Sequence, residues 1–171
     1  MNPVPWLQMT NMISYQGLVR TFPNTKSTIL LSLASALIVA LSVNFDKIIS
    51  LVNVRADKAF LSFLVGAILF LLIASVIFSL KGITPFIKAS TKSNTFSFVD
   101  ISLNYSELED YRKEFSSVDS LKLLNQLIAL NHNLSKALVA KYEKQITAIT
   151  FLESAAYVLG FSIYVIILSN C

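Results

Sequence analysis

The sequence predicts an all-α membrane protein with three transmembrane helices, the third continuous with a long amphipathic cytoplasmic helix. Of its 171 residues, 54% are hydrophobic and only 14% are charged, whereas a typical soluble domain has about 25% charged residues. The charges are unevenly placed: residues 27–45 and 59–80 contain none, and residues 145–171 contain one, Glu153. Because a bilayer core needs about 20 apolar residues in a helix, each stretch is long enough to cross a membrane.

The distribution of positive residues predicts the orientation. With three spans, the N-terminus and segment 81–147 share one side of the membrane. These regions hold eleven Lys and Arg residues, against three in loop 46–58 and none in the tail 169–171. The positive-inside rule therefore predicts a cytoplasmic N-terminus and segment 81–147, with the C-terminus outside. A cleaved signal peptide is not expected, because the first apolar run starts late and ends without a small-x-small site.

The elements up to span two can be assigned in order. Residues 1–26 are predicted to form a cytoplasmic or interfacial helix, and Pro23 is expected to break or bend it. Span one, 27–45, is rich in small residues and is expected to pack against protein over much of its surface. An external loop, 46–58, follows. Span two, 59–80, contains four phenylalanines and is expected to be more exposed to lipid.

The segment 81–147 begins irregularly, because Gly82 and Pro85 end span two. The alternation of apolar and polar residues in "FSFVDISLNY" (96–105) indicates a short strand or an extended stretch docked on helices. The extended stretch is preferred, since a lone strand has no partner. Residues 106–115 are predicted to form a short charged helix.

A regular apolar stripe from residue 119 onward predicts one helix over 119–168, about 75 Å long. It enters the membrane as span three, 148–168, and ends at an external tail, 169–171. We expect the stripe to pack in a core, with a coiled-coil face for self-association as the alternative. Its members recur every three or four residues: Leu121, Leu124, Leu127 or Ile128, Leu134, Leu138, Tyr142, Ile146 and Ile149.

No pattern typical of an enzyme is found, so no catalytic residue and no cofactor are predicted. The four glycines are scattered, which excludes a glycine-rich phosphate loop. His132 is the single histidine and Cys171 the single cysteine, so neither a metal site nor an internal disulfide is expected. No polymeric nucleic acid is expected as a partner.

Glu153 is the charge that is hardest to reconcile with a membrane span. A span that begins near Ile149 puts Glu153 about one turn inside the lipid, which is costly unless the carboxylate faces protein or water. A span that begins at Ser154 leaves fifteen residues up to Leu168, about 22 Å, which is short of the core thickness. Glu153 is therefore interpreted either as an interfacial residue or as a residue for membrane assembly or gating in a homo-oligomer.

Polar residues before span one form a second candidate site. Asn24, Thr25 and Lys26 precede the first apolar run, and Lys136, Lys141 and Lys144 precede the third. Such lysines commonly mark orientation and contact anionic lipid. If helices one and three are neighbours, however, these groups surround one crevice on the cytoplasmic side, and ammonium and hydroxyl groups together suit a phosphate.

Three segments in this order resemble the small transmembrane effectors of bacterial Pycsar antiphage systems. "PNTKSTILLSLASALIV" is similar to the A-D-T-K-A motif before the family's first span, with Asn24 and Ser27 where the family more often has aspartate and alanine. "FSFVDISLNYSELEDYRKEF" resembles the aromatic-rich segment after the second span. "LNHNLSKALVAKYEKQITAITF" resembles the family's closing Lys-Tyr helix.

The resemblance implies an effector in the bacterial inner membrane that responds to a cyclic pyrimidine nucleotide, cUMP or cCMP, and impairs that membrane. Thr25 and Lys26 match the A-D-T-K-A motif, and Lys141 and Tyr142 match the closing Lys-Tyr helix. Together with Asn24, they are the residues predicted to bind the nucleotide. Two alternatives remain: an accessory membrane subunit that anchors a partner protein, and a holin-like pore that needs no ligand.

Overall fold

The computed structural model describes the backbone of residues 4–84 and 94–170, and the side chains of residues 24–84, 94–97 and 99–170. Within these ranges the chain forms helices and no strand, which confirms the predicted all-α class. The long third helix is also confirmed, because α6 runs unbroken over 50 residues. The elements are α1 (Val4–Val43), α2 (Phe45–Ser50), α3 (Arg55–Ile83), α4 (Phe98–Asn104), α5 (Leu108–Ser117) and α6 (Ser120–Ser169).

Three of these helices are long and apolar enough to cross a membrane: the Asn24–Val43 part of α1, α3, and α6. Of the break or bend predicted at Pro23, the break does not occur, because α1 continues through this position. A proline removes only one backbone hydrogen bond of a helix. Because α1 has 40 residues, the hydrogen bonds on both sides of that position still hold the helix. The lead-in segment and span one are thus parts of one helix.

Residues 1–84 and 141–171 form one compact unit, in which α1, α3 and the last part of α6 pack together. Its core contains Ala34 of α1, Ile68 and Leu72 of α3, and Ala155 of α6. The two alanines allow their helices to approach α3 closely. Phe78 of α3 also stacks on Phe151 of α6, with 5.5 Å between ring centroids.

Two expectations about the spans were wrong. Span one was expected to pack against protein over much of its surface, and span two was expected to be the more exposed one. In α1 the core-facing side chains include Ala34 and Ser27, whereas the small residues Ser32, Ala36 and Ala40 are exposed. The helix α3 has the larger buried face, with eight buried residues. The reason is that Ile68 and Leu72 are long enough to pack between α1 and α6, so the bulkier helix supplies most of the core.

Hydrogen bonds at one end of this unit fix the end of α6 to the region where α3 begins. Ser169 Oγ donates to Asp57 Oδ2 at 2.7 Å, and Asn170 Nδ2 donates to the Leu51 carbonyl at 2.9 Å. We call these contacts the Asp57 end of the bundle. They place Ser169 of α6 level with Asp57 at the start of α3.

Residues 85–140 form a second compact unit, whose described part contains α4, α5 and the beginning of α6. The predicted strand or extended stretch over 96–105 was wrong, because Phe98–Asn104 is helical. Ser97 caps this helix, and its Oγ accepts from the Asp100 N–H at 3.4 Å, as is typical of a serine at an N-terminus. The charged helix predicted over 106–115 is α5, Leu108–Ser117.

Buried polar side chains before α4 bind the start of α6 within this unit. Asn94 Nδ2 donates to the Gln126 carbonyl at 2.8 Å, and Thr95 Oγ1 donates to Gln126 Oε1 at 2.6 Å. Tyr111 OH donates to the Thr95 carbonyl at 2.9 Å. Burial, and then the charge of Glu114, raise the pKa of Tyr105, whose ring lies 5.4 Å from that of Tyr111. The buried polar groups of Asn94 and Thr95 thus have hydrogen-bond partners inside the unit and stabilise it.

The apolar stripe of α6 does not pack in a core as predicted. Leu121, Leu124 and Ile128 are more than half exposed, and Ile146 is 63% exposed. The buried positions of α6 carry small or polar side chains, among them Ala148 and Gln145. Small residues allow the closest helix approach, so the fully buried positions are theirs, while the most exposed positions of the stripe carry bulky apolar side chains. The alternative of a self-association face is therefore left open.

Candidate functional site

Three helices of the first unit meet through polar and small residues at the end opposite Asp57. Ser27 Oγ of α1 accepts a hydrogen bond from Gln145 Nε2 of α6 at 2.8 Å, and both side chains are buried. Gly82 of α3 lies against this hydrogen-bonded pair. A Cβ at position 82 would lie 2.8 Å from Ser27 Oγ, so only glycine fits without displacing that hydroxyl. We call Ser27, Gly82 and Gln145 the polar junction.

One helical turn away, α1 and α6 are joined again by two of the predicted ligand-binding residues. Lys141 Nζ donates to Asn24 Oδ1 at 3.4 Å. The two contacts, Asn24 with Lys141 and Ser27 with Gln145, advance in the same direction along both helices, so α1 and α6 run parallel here. The separation of 3.4 Å exceeds the usual length of a charged N–H···O bond, and the Lys141–Asn24 contact is therefore weak.

The other predicted site residues lie around this contact. Thr25 and Lys26 follow Asn24 on α1 and are exposed, and Tyr142 follows Lys141 on α6 and is 37% exposed. The helices α1 and α6, which contain spans one and three, are thus neighbours at this level. The hypothesis of a shared crevice requires this arrangement. The binding roles of these five residues stay predictions. Glu153 lies apart, eight residues beyond Gln145 and exposed.

The polar junction was not predicted from the sequence. A weak signal exists, since Ser27 and Gln145 are the first uncharged residues of their apolar runs. Gly82 was interpreted only as the end of span two. One turn before Gly82, Ser79 is fully buried and its Oγ has no hydrogen-bond partner among the described atoms. A buried hydroxyl without a partner is costly, and it adds to the polar character of this end of α3.

Positive charge dominates this end of the bundle. Lys26, Lys81, Lys141 and Lys144 come from all three helices, and Lys81 Nζ lies 5.3 Å from the centre of the Phe78 ring. Ammonium groups together with hydroxyls and amide N–H groups bind phosphate oxygens well. Within the described ranges, no group of three His, Cys, Asp or Glu residues could hold a metal ion. The chemistry that this end supports best is the binding of an anion.

Comparison with known proteins identifies the family. The sequence pattern of a family described as the Pycsar effector protein domain matches residues 10–169. A short stretch of 24 residues is 92% identical to the protein YghO of Escherichia coli (strain K12), which is 14% of this chain and 6% of YghO. No solved structure matches. With three helices able to span a membrane and a match over nearly its whole length, this chain is a membrane protein that belongs to the Pycsar effector family of antiphage effectors.

Proposed function

We propose that this chain is a non-enzymatic effector of the bacterial inner membrane that binds a cyclic pyrimidine nucleotide, cUMP or cCMP. Binding rearranges a homo-oligomer and impairs the membrane, which arrests or kills the infected cell. The nucleotide binds beside the polar junction, at Asn24, Thr25, Lys26, Lys141 and Tyr142.

The observation that supports this proposal is the contact between Lys141 and Asn24. It joins the two motifs that resemble the family, although they are 117 residues apart in the chain. The contact is long and solvent-exposed, so a phosphate oxygen can replace Asn24 as the acceptor and form a stronger, charge-assisted bond. Lys26 follows Asn24 by two residues on α1 and is exposed, so its long, flexible side chain would have to turn toward the phosphate to supply a second ammonium group. A cyclic nucleotide carries a single negative charge, which two ammonium groups and a hydroxyl can bind.

The charge distribution supports a cytoplasmic position for this end. Lys26, Lys81, Lys141 and Lys144 belong to the side that holds eleven of the fourteen Lys and Arg residues, and cytoplasmic segments carry such an excess. A nucleotide made in the cytoplasm then reaches the site without crossing the bilayer. The C-terminus lies outside in this arrangement.

The proposed response is a change in the packing of α6. A ligand shifts an equilibrium only by its differential affinity for the two states. A phosphate that draws Lys141 away from Asn24 favours a state in which α6 has turned relative to α1. Such a rotation carries Glu153 toward the axis of the oligomer, where a carboxylate can line a path for water and ions.

We expect Lys26→Ala to weaken cUMP or cCMP binding by about 10-fold to 150-fold, because loss of a hydrogen bond to a charged group costs about 1.5–3 kcal/mol. Lys26→Arg should lose part of this affinity, since a guanidinium has a different shape and donor geometry. Affinities would be measured by calorimetry on detergent-solubilised protein, with cAMP as the unrelated nucleotide.

The matched control is Lys47→Ala, which removes an exposed lysine of α2 near the other end of the span. It should bind as the wild type does. Equal affinity of Lys26→Ala and wild type would contradict the site. Absence of binding by the wild type, together with a stable protein partner, would favour the accessory subunit, and toxicity without any nucleotide would favour the holin-like pore.

A further inference from the structure

The side of α6 that faces away from its own bundle carries polar groups. Glu153, Tyr157, Gly160 and Tyr164 are separated by four, three and four residues and therefore lie on one face. All four are exposed, Tyr157 by 80% and Tyr164 by 56%. A Cβ at Gly160 would meet nothing within 4 Å. We call these four residues the outer face of α6.

Contacts at the two ends of the bundle fix the depth of this face. Gln145 is level with Ser27, where the uncharged part of α1 begins, and Ser169 is level with Asp57, at the start of α3. Glu153 lies eight residues beyond Gln145 and sixteen before Ser169, about 12 Å and 24 Å along the helix. Its carboxylate is therefore inside the apolar span. This depth favours a role of Glu153 in membrane assembly over the interfacial interpretation.

A carboxylate at this depth is poorly suited to lipid. A charged side chain in the middle of a membrane helix is costly and commonly faces protein or water instead of lipid. Among the described side chains, no cation lies within ion-pair distance of Glu153. The outer face of α3 shows what suits lipid here, because its most exposed large side chains are Phe63 and Phe70, each 71% exposed.

We infer that a second copy of this chain covers the outer face of α6, with the two α6 helices parallel. Copies inserted in the same direction have the same residues at the same depth. The Tyr157 hydroxyl of a neighbour therefore lies about one helical turn along the axis from Glu153 and within reach of its side chain. Gly160 lets the two backbones approach closely, as small residues do in membrane helix pairs. Any other partner would need its own polar group at that depth, whereas a second copy supplies one without further conditions.

This inference specifies the oligomer of the proposed function and names its interface. It does not require nucleotide binding, because the outer face is exposed in the fold as described. The phenylalanine-rich outer face of α3 remains in contact with lipid. Rotation of α6 on ligand binding would then carry Glu153 out of this contact between neighbouring copies and toward the axis of the oligomer.

Cysteine cross-linking tests the interface. In a Cys171→Ser background, Gly160→Cys and Tyr157→Cys are introduced singly, with Phe70→Cys on α3 as the lipid-facing control. Oxidation of native membranes without nucleotide should convert several times more of the Gly160→Cys and Tyr157→Cys proteins into covalent dimers than of Phe70→Cys. Expression is kept low, so that random collisions contribute little.

Equal dimer yield at all three positions, or a higher yield at Phe70→Cys, would overturn the inference. The result is independent of the nucleotide, so it separates this inference from the proposed function. Cross-linking without nucleotide binding would leave the interface standing and reject the ligand site. Nucleotide binding without cross-linking would do the reverse.

Discussion

Replacing Gly82 by alanine should destabilise the three-helix bundle by about 2–3 kcal/mol. The added Cβ would lie 2.8 Å from Ser27 Oγ, and Ser27 can move away only by giving up its hydrogen bond with Gln145. The hydrogen bond that would be lost is a buried one, because both side chains are buried. Thermal unfolding of the purified protein in detergent would measure the loss.

Gly66→Ala is the matched control, because it lies in the same helix and a Cβ there would meet nothing within 4 Å. Its melting temperature should stay near that of the wild type. A double-mutant cycle adds a second check. Once Ser27→Ala has removed the hydroxyl, the nearest atom is Gln145 Cγ at 3.5 Å, so adding Gly82→Ala should cost much less than in the wild type. Additive losses would contradict this account of the polar junction.

Replacing Glu153 by leucine should remove the toxic response in cells that make the nucleotide, with cell survival rising about tenfold or more. The reason is that the proposed active state brings Glu153 to the oligomer axis, where a leucine side chain excludes water instead of admitting it. Glu153→Gln should retain part of the response, because an amide still forms hydrogen bonds at that depth. Survival and membrane potential are the two measurements.

The control for Glu153 is Glu107→Leu, which removes a carboxylate from an exposed position outside the spans. It should keep the full response. Membrane insertion of each variant must be verified by fractionation, and Glu153→Leu is expected to insert at least as well as the wild type because it removes a charge from the span. A Glu153→Leu protein that is as toxic as the wild type would contradict a role in the active state.

The main features of the fold could be predicted because the bilayer imposes them. Uncharged runs of about 20 residues and a stripe with helical spacing determine the three long helices. Sequence reasoning also predicted that Asn24 and Lys141 would lie near each other, since both precede an apolar run on the same side of the membrane. That argument needs only the depth of each residue and the packing of two neighbouring helices.

The orientation of the helices about their axes could not be predicted. In a membrane span both faces are apolar, so hydrophobicity does not distinguish the side that faces protein from the side that faces lipid. In span three, Ala148 and Ala155 are the residues that face the core. The stripe before that span, with Leu121, Ile128 and Ile146, was assigned to a core from its helical spacing alone, and these residues are exposed. The helix α4 was missed because its alternating residues resemble a strand and its Ser97 cap is a local interaction that the pattern does not show.

The polar junction escaped prediction for a related reason. It depends on three residues from three helices, and each has an ordinary role in its own segment. Gly82 ends a span, and Ser27 and Gln145 begin one. Only the packing of α1, α3 and α6 shows that the glycine makes room for a hydrogen bond between the other two.

The most direct test of the central claim is release of a trapped fluorescent dye from liposomes that contain only the purified protein. The protein must be inserted so that the Lys141 end is accessible from the side to which nucleotide is added. We expect cUMP or cCMP to start dye release, cAMP to have little effect, and the Lys26→Ala protein to remain closed at the same nucleotide concentration. Equal release with and without nucleotide, or no release by the wild type at any concentration of either pyrimidine nucleotide, would contradict the account.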